Sequence, residues 1–141
     1  MSDKEKIRRF PLSQNTGSAV FGLGILTDEP DYRLCWLLNQ KFPWDLARAD
    51  DISVTDKSSP IPQSYTCFVG NSRQDTTVRL ISNRSKEGQW LTIFQQVDFL
   101  LVVSMPDPAG DFLDELKGAL STKIPQIRGL FKVLLPSFCY L

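Results

Sequence analysis

The sequence predicts an α+β domain: an antiparallel-rich sheet with two helices on one face, in a ferredoxin-like or ACT-like arrangement. Three observations predict it. Apolar segments of strand length alternate with two segments of helical period, in the order β-α-(β)-β-β-β-α-β. The chain has 141 residues, 42% of them hydrophobic and 23% charged, enough for one domain to bury a core without disulfide or metal. The run Phe99-Leu100-Leu101-Val102-Val103 is apolar at every position, as a central strand covered on both faces should be.

Residues 1–15 are polar and read as a loose arm, leaving 16–141 as the domain. Residues 19–26 form the first strand, with Gly22 and Gly24 keeping one side thin. Thr27-Asp28-Glu29-Pro30 then supplies a helix start: a capping side chain, early acids and a first-turn proline. The spacing of Leu34, Leu37, Leu38 and Phe42 predicts a helix over 31–41. Residues 43–63 carry Pro43, Pro60, Pro62 and a charged run, so they read as irregular, with a short strand at 52–54. A hairpin follows from 65–69 and 78–83 across the turn-rich 70–75. After a polar loop at 85–89 come strand-like runs at 90–94 and 97–103. Asp107-Pro108 reads as the N-cap and first position of a second helix, with Phe112, Leu113, Leu116, Ala119 and Leu120 as its stripe. Its acids lie early and Lys117 and Lys123 late, as the helix dipole favours. Residues 130–135 close the fold as a last strand.

Composition excludes several classes of function. Lys plus Arg and Asp plus Glu both number 16, so the chain lacks the cationic excess that binds nucleic acid or an anionic membrane surface. No stretch approaches the ~20 apolar residues of a membrane span. The basic start and the apolar segment at 19–26 are separated by polar residues 13–18, unlike a secretory signal. Histidine is absent, which removes Ser-His and Cys-His nucleophile pairs and the commonest metal ligand. Cys35, Cys67 and Cys139 are odd in number and widely spaced, as buried thiols of a reducing, cytoplasmic compartment are.

Few residues invite a chemical role. Gly22-Leu23-Gly24 lacks the third glycine of a dinucleotide loop, because Thr27 stands there. Asp50-Asp51 and Asp107/Asp111 are the only carboxylate pairs, and they read as a solvated loop and a helix start. Asp98 opens the most buried strand. It is either a ligand-facing acid or an acceptor for backbone N–H groups in the turn around Gln95-Gln96. The first helix carries a second stripe, Tyr32 and Trp36, flanked by Arg33 and Asn39. Aromatics at helical spacing beside an arginine suit a protein-binding surface, unless the 43–63 segment or the N-terminal arm covers them. Trp44 and Trp90 read as packing.

Three segments together resemble a known family. They are Asp31-Tyr32-Arg33-Leu34-Cys35-Trp36 after a glycine-bearing strand, Leu80-Ile81-Ser82-Asn83-Arg84-Ser85, and Val97-Asp98-Phe99-Leu100. They are similar to the IPExxxVDY proteins, small bacterial proteins, over roughly residues 19–135. The second half of the name-giving motif is present as Val97, Asp98 and Phe99. The Ile-Pro-Glu half reads Leu91-Thr92-Ile93, so its acid is replaced by Ile93. The resemblance implies a cytoplasmic bacterial protein and no particular activity. The expectation is therefore a non-enzymatic interaction or regulatory module, without catalytic residues, cofactor or metal, whose partner is another protein or a second copy. A small-ligand sensor of ACT-like type is the alternative, and an enzyme using carboxylates alone comes third.

Overall fold

The computed structural model describes residues 18–56, 59–72, 75–83, 97–106 and 110–133. They form an α+β unit with strands β1 (Ser18–Thr27), β2 (Ala47–Asp56), β3 (Ser59–Asn71), β4 (Thr77–Ser82), β5 (Phe99–Pro106) and β6 (Ile127–Val133). Helix α1 (Asp31–Lys41) joins β1 to β2, and α2 (Phe112–Lys123) lies between β5 and β6. The strands make one six-stranded sheet in the order β2-β3-β4-β5-β1-β6, and every pairing is antiparallel.

Strand β5 is interior, as its unbroken apolar run predicts. Leu101 lies between Leu23 on β1 and Leu80 on β4. Alternation sends Phe99, Leu101 and Val103 to one face, where they meet Leu23, Ile25, Val78 and Leu80. Leu34 and Leu38 of α1 and Leu116 and Leu120 of α2 join the same cluster, so both helices cover this face. Leu100 and Val102 point the other way, into a second buried cluster with Tyr65, Cys67, Ile81 and Val97. Gly24 belongs to that face, and a Cβ there would collide with the Val97 side chain. Gly70 of β3 is constrained more severely, because a Cβ would strike the backbone carbonyl of Trp44.

Several boundaries differ from the sequence reading, each for a physical reason. Residues 43–63 are largely two long strands rather than an irregular segment. Their alternation is broken where the β2–β3 register shifts, once between Ala49 and Ile52 and again between Val54 and Asp56. Asp50 and Asp51 thus sit in an edge-strand bulge, not a loop. The first helix has Pro30 at its N-cap with no side-chain cap. The Thr27 hydroxyl instead accepts the Glu29 N–H at 3.2 Å and donates to the Gln126 carbonyl at 2.8 Å. The second helix starts at Phe112 after Asp111, which makes no side-chain cap bond, rather than at Asp107-Pro108. β5 begins at Phe99 rather than residue 97, because Val97 and Asp98 bond across to the ends of neighbouring strands. β6, described over Ile127–Val133, begins before the expected 130, and residues 134–135 lie outside the described residues. The expected arm at 1–15, the loop at 85–89, the strand at 90–94 and the residues Asp107 and Cys139 lie outside the described residues. No helix among the described residues is long and apolar enough to cross a membrane.

Candidate functional site

Helix α1 divides its side chains cleanly. Leu34, Cys35, Leu37 and Leu38 face the sheet. Tyr32 and Trp36, one turn apart, lie on the outer side and are 69% and 51% exposed. Neither is covered by the chain following the helix, which turns away into β2. The Arg33 guanidinium sits 4.9 Å from the Trp36 ring centroid, within cation–π range. Its Nε also lies 3.8 Å from Glu29 Oε1, so the arginine is held between a carboxylate and an aromatic face. The Tyr32 N–H donates to Asp31 Oδ1 at 2.6 Å, fixing the first turn.

Asn39 does not join this group. Its Nδ2 donates to the Leu46 carbonyl at 2.9 Å and its Oδ1 accepts the Leu46 N–H at 2.8 Å. The amide thus completes both backbone bonds of Leu46 and ties α1 to the chain entering β2. Trp44 is buried and stacks on Phe42 with centroids 4.4 Å apart, so it is packing.

Asp98 is half-buried at the entrance to β5. Its Oδ2 accepts the Thr27 N–H at 3.0 Å, its N–H donates to the Ile25 carbonyl at 2.8 Å, and its carbonyl accepts the Asn83 N–H at 2.9 Å. The carboxylate therefore receives a backbone N–H from the end of β1, and the expected donors of the turn at 95–96 lie outside the described residues. Sequence reasoning did not single out Asn83, which is fully buried and donates from Nδ2 to the Val97 carbonyl at 2.9 Å. Its place in the segment Leu80–Ser85 was the available signal. The ends of β1, β4 and β5 meet here.

The remaining candidates separate. Asp51 pairs with Arg48 at 2.6 Å across the β2 bulge, and Asp111 is an exposed helix cap. Cys35 and Cys67 are buried and free. Burial pushes the Cys35 thiol up, with the Asp31 charge acting in the same sense. Burial also raises Cys67, against the lowering influence of Arg79 and Arg48. Both stay protonated at neutral pH, the wrong form for a nucleophile. Among the described residues, no group of three His, Cys, Asp or Glu side chains could hold a metal ion. Phe131 on edge strand β6 is a further exposed aromatic, 48% exposed, that the reading of 130–135 as a plain closing strand overlooked.

No family model matches the chain, and no curated protein and no solved structure matches it.

Proposed function

We propose that this protein is a non-enzymatic interaction or regulatory module that docks another protein, or a second copy of itself, through the outer face of α1. One observation carries the reading. Two large aromatic side chains, Tyr32 and Trp36, stand exposed one helical turn apart, and an arginine lies against one of them. Tyr, Trp and Arg are the residues that anchor interfaces, because each buries a large surface at little conformational cost. Self-association is the first thing to measure. Trp36→Ala should leave the melting temperature nearly unchanged, since the ring is not part of the core. It should weaken association by about 2 kcal/mol or more, as at interface hot spots. Sedimentation and thermal melting on the same variant decide it. A strongly destabilised protein, or association identical to that of the parent, would sink the reading.

A narrower assignment of the fold belongs with this proposal. We infer a ferredoxin-like or ACT-like core made of β1, α1, β4, β5, α2 and β6, with β2–β3 as a hairpin inserted after α1. The support is the order β4-β5-β1-β6 at one side of the sheet, with each helix linking two strands that are not adjacent. Membership of the IPExxxVDY family, and with it a cytoplasmic bacterial setting, is likewise our proposal. It rests on the contacts of Asn83 and Val97-Asp98, which join the resembling segments, and on the two protonated, buried thiols.

A further inference from the structure

The outer face of α1 has a matching segment within its own chain. Residues 4–12 read Lys4-Glu5-Lys6-Ile7-Arg8-Arg9-Phe10-Pro11-Leu12, and they precede the first described residue, Ser18. We propose that this segment docks on the Tyr32–Trp36 face of the same molecule and competes there with the protein partner. The inference rests on the reading of that face as a docking surface and names what regulates it.

Position makes the contact feasible. β1 begins at Ser18, and Ala19 beside it pairs with Met105. Met105 and Phe42 line one cleft, so the carboxyl end of α1 lies at the end of the sheet where β1 starts. Phe10 stands eight residues before Ser18, a reach of up to about 26 Å. Along the helix axis Trp36 lies about 9 Å from Phe42, and Tyr32 about 6 Å beyond it. The segment is therefore long enough to run along α1 toward its amino end.

Order selects the occupant. Leaving Ser18, the segment presents Leu12, Pro11 and Phe10, and then the cations Arg9, Arg8, Lys6 and Lys4 with one acid, Glu5, among them. Leaving the Phe42 end, the outer side of α1 presents Trp36 and Tyr32, and then come the acids Asp31, Glu29 and Asp28. Apolar groups therefore meet aromatics, and cations meet acids, in one direction of travel. Two of the acids already hold cations, Glu29 with Arg33 at 3.8 Å and Asp28 with Arg128 at 3.3 Å. Both pairs reach solvent, where such pairs are weak, so these acids accept a further cation. The tether raises the effective concentration of the segment at α1 to the order of millimolar, so modest contacts suffice.

The test uses the full chain and reads the Trp36 indole N–H, the Tyr32 ring and the α1 amides by nuclear magnetic resonance. Phe10→Ala should shift the Trp36 and Tyr32 signals. The double variant Arg8→Glu, Arg9→Glu should act mainly on the amides of Glu29 and Asp31. Signals of β5 should stay in place in both, because the fold is intact. The shifts should be the same at every protein concentration. Freed of its competitor, Phe10→Ala should also associate through α1 at least about fivefold more tightly than the parent. An unchanged Trp36 signal in Phe10→Ala would overturn the proposal. So would a shift that depends on concentration, which would assign the segment to a second copy. Association that Trp36→Ala weakens but Phe10→Ala leaves as in the parent would overturn the competition alone. Association that Trp36→Ala leaves unchanged would sink the docking reading instead, and the contact would then stand on the Trp36 signal.

Discussion

At the scale of single residues, two positions show how polar groups hold this molecule together. Asp98 supplies a charged acceptor to the Thr27 N–H at the end of β1, while its own backbone bridges β1 and β4. Asp98→Ala should therefore cost about 1–3 kcal/mol, because a part-buried N–H loses its partner. Urea unfolding would measure it, and a cost under about 0.5 kcal/mol would mean that water replaces the carboxylate. The thiols make a second prediction. Folding raises both cysteines above their ordinary value of 9.0, so the folded chain holds these protons more tightly than the unfolded chain does. Their contribution is complete below pH 9.0 and is lost as pH rises toward the folded-state values. Stability should fall as pH rises above 9.0, and less steeply in Cys35→Ala. Equal slopes in the two proteins would remove Cys35 from the account. Periodicity made Tyr32 and Trp36 legible in the sequence, since an outward stripe on a helix is a matter of spacing alone. Asn39 misled because its partner, Leu46, sits in a turn whose shape no spacing encodes.

At the scale of elements, composition marked the most buried strand clearly and the edge strands only in part. β5 was evident because a strand covered on both faces must be apolar throughout. Leu101→Ala should cost about 2–5 kcal/mol, as core truncations do, and a loss below 1 kcal/mol would contradict its interior position. β2 was read only in part, as a short strand at 52–54, because it lies at the sheet edge, where half-exposed Asp51 and Ile52 follow exposed Arg48 and Asp50 without clean alternation. That irregularity has a use. A bulge with a paired Arg48 and Asp51 makes the β2 edge a poor template for another strand. The other edge, β6, carries Arg128 and Lys132, paired at 3.3 Å with Asp28 and Asp114 respectively. Its hydrophobic content made it legible as a strand, but not as an edge. Gly70 is the element-scale constraint on β3. Gly70→Ala should destabilise by more than the Gly-to-Ala change gains elsewhere, because the strand must move off the Trp44 carbonyl. A melting temperature at or above that of the parent would show that the approach relaxes freely.

At the scale of the whole molecule, the sheet is assembled from distant parts of the chain. β2 to β5 follow one another as neighbours, but β1 is inserted between β5 and β6. Amide exchange should therefore be slowest in β1, β3, β4 and β5, the strands with partners on both sides and core on both faces, and faster in the edge strands β2 and β6. Uniform protection across the sheet would argue against that hierarchy. The placement of β1 has a further consequence, for synthesis rather than stability. Leu23 finds its partners in Leu101 and Lys132, so the strand made first is paired last. On a ribosome, residues 18–27 emerge with no native strand partner until β5 has followed. The nascent chain must carry that apolar segment unpaired through most of its translation, and there the need for a chaperone, or for a slow folding step, is concentrated.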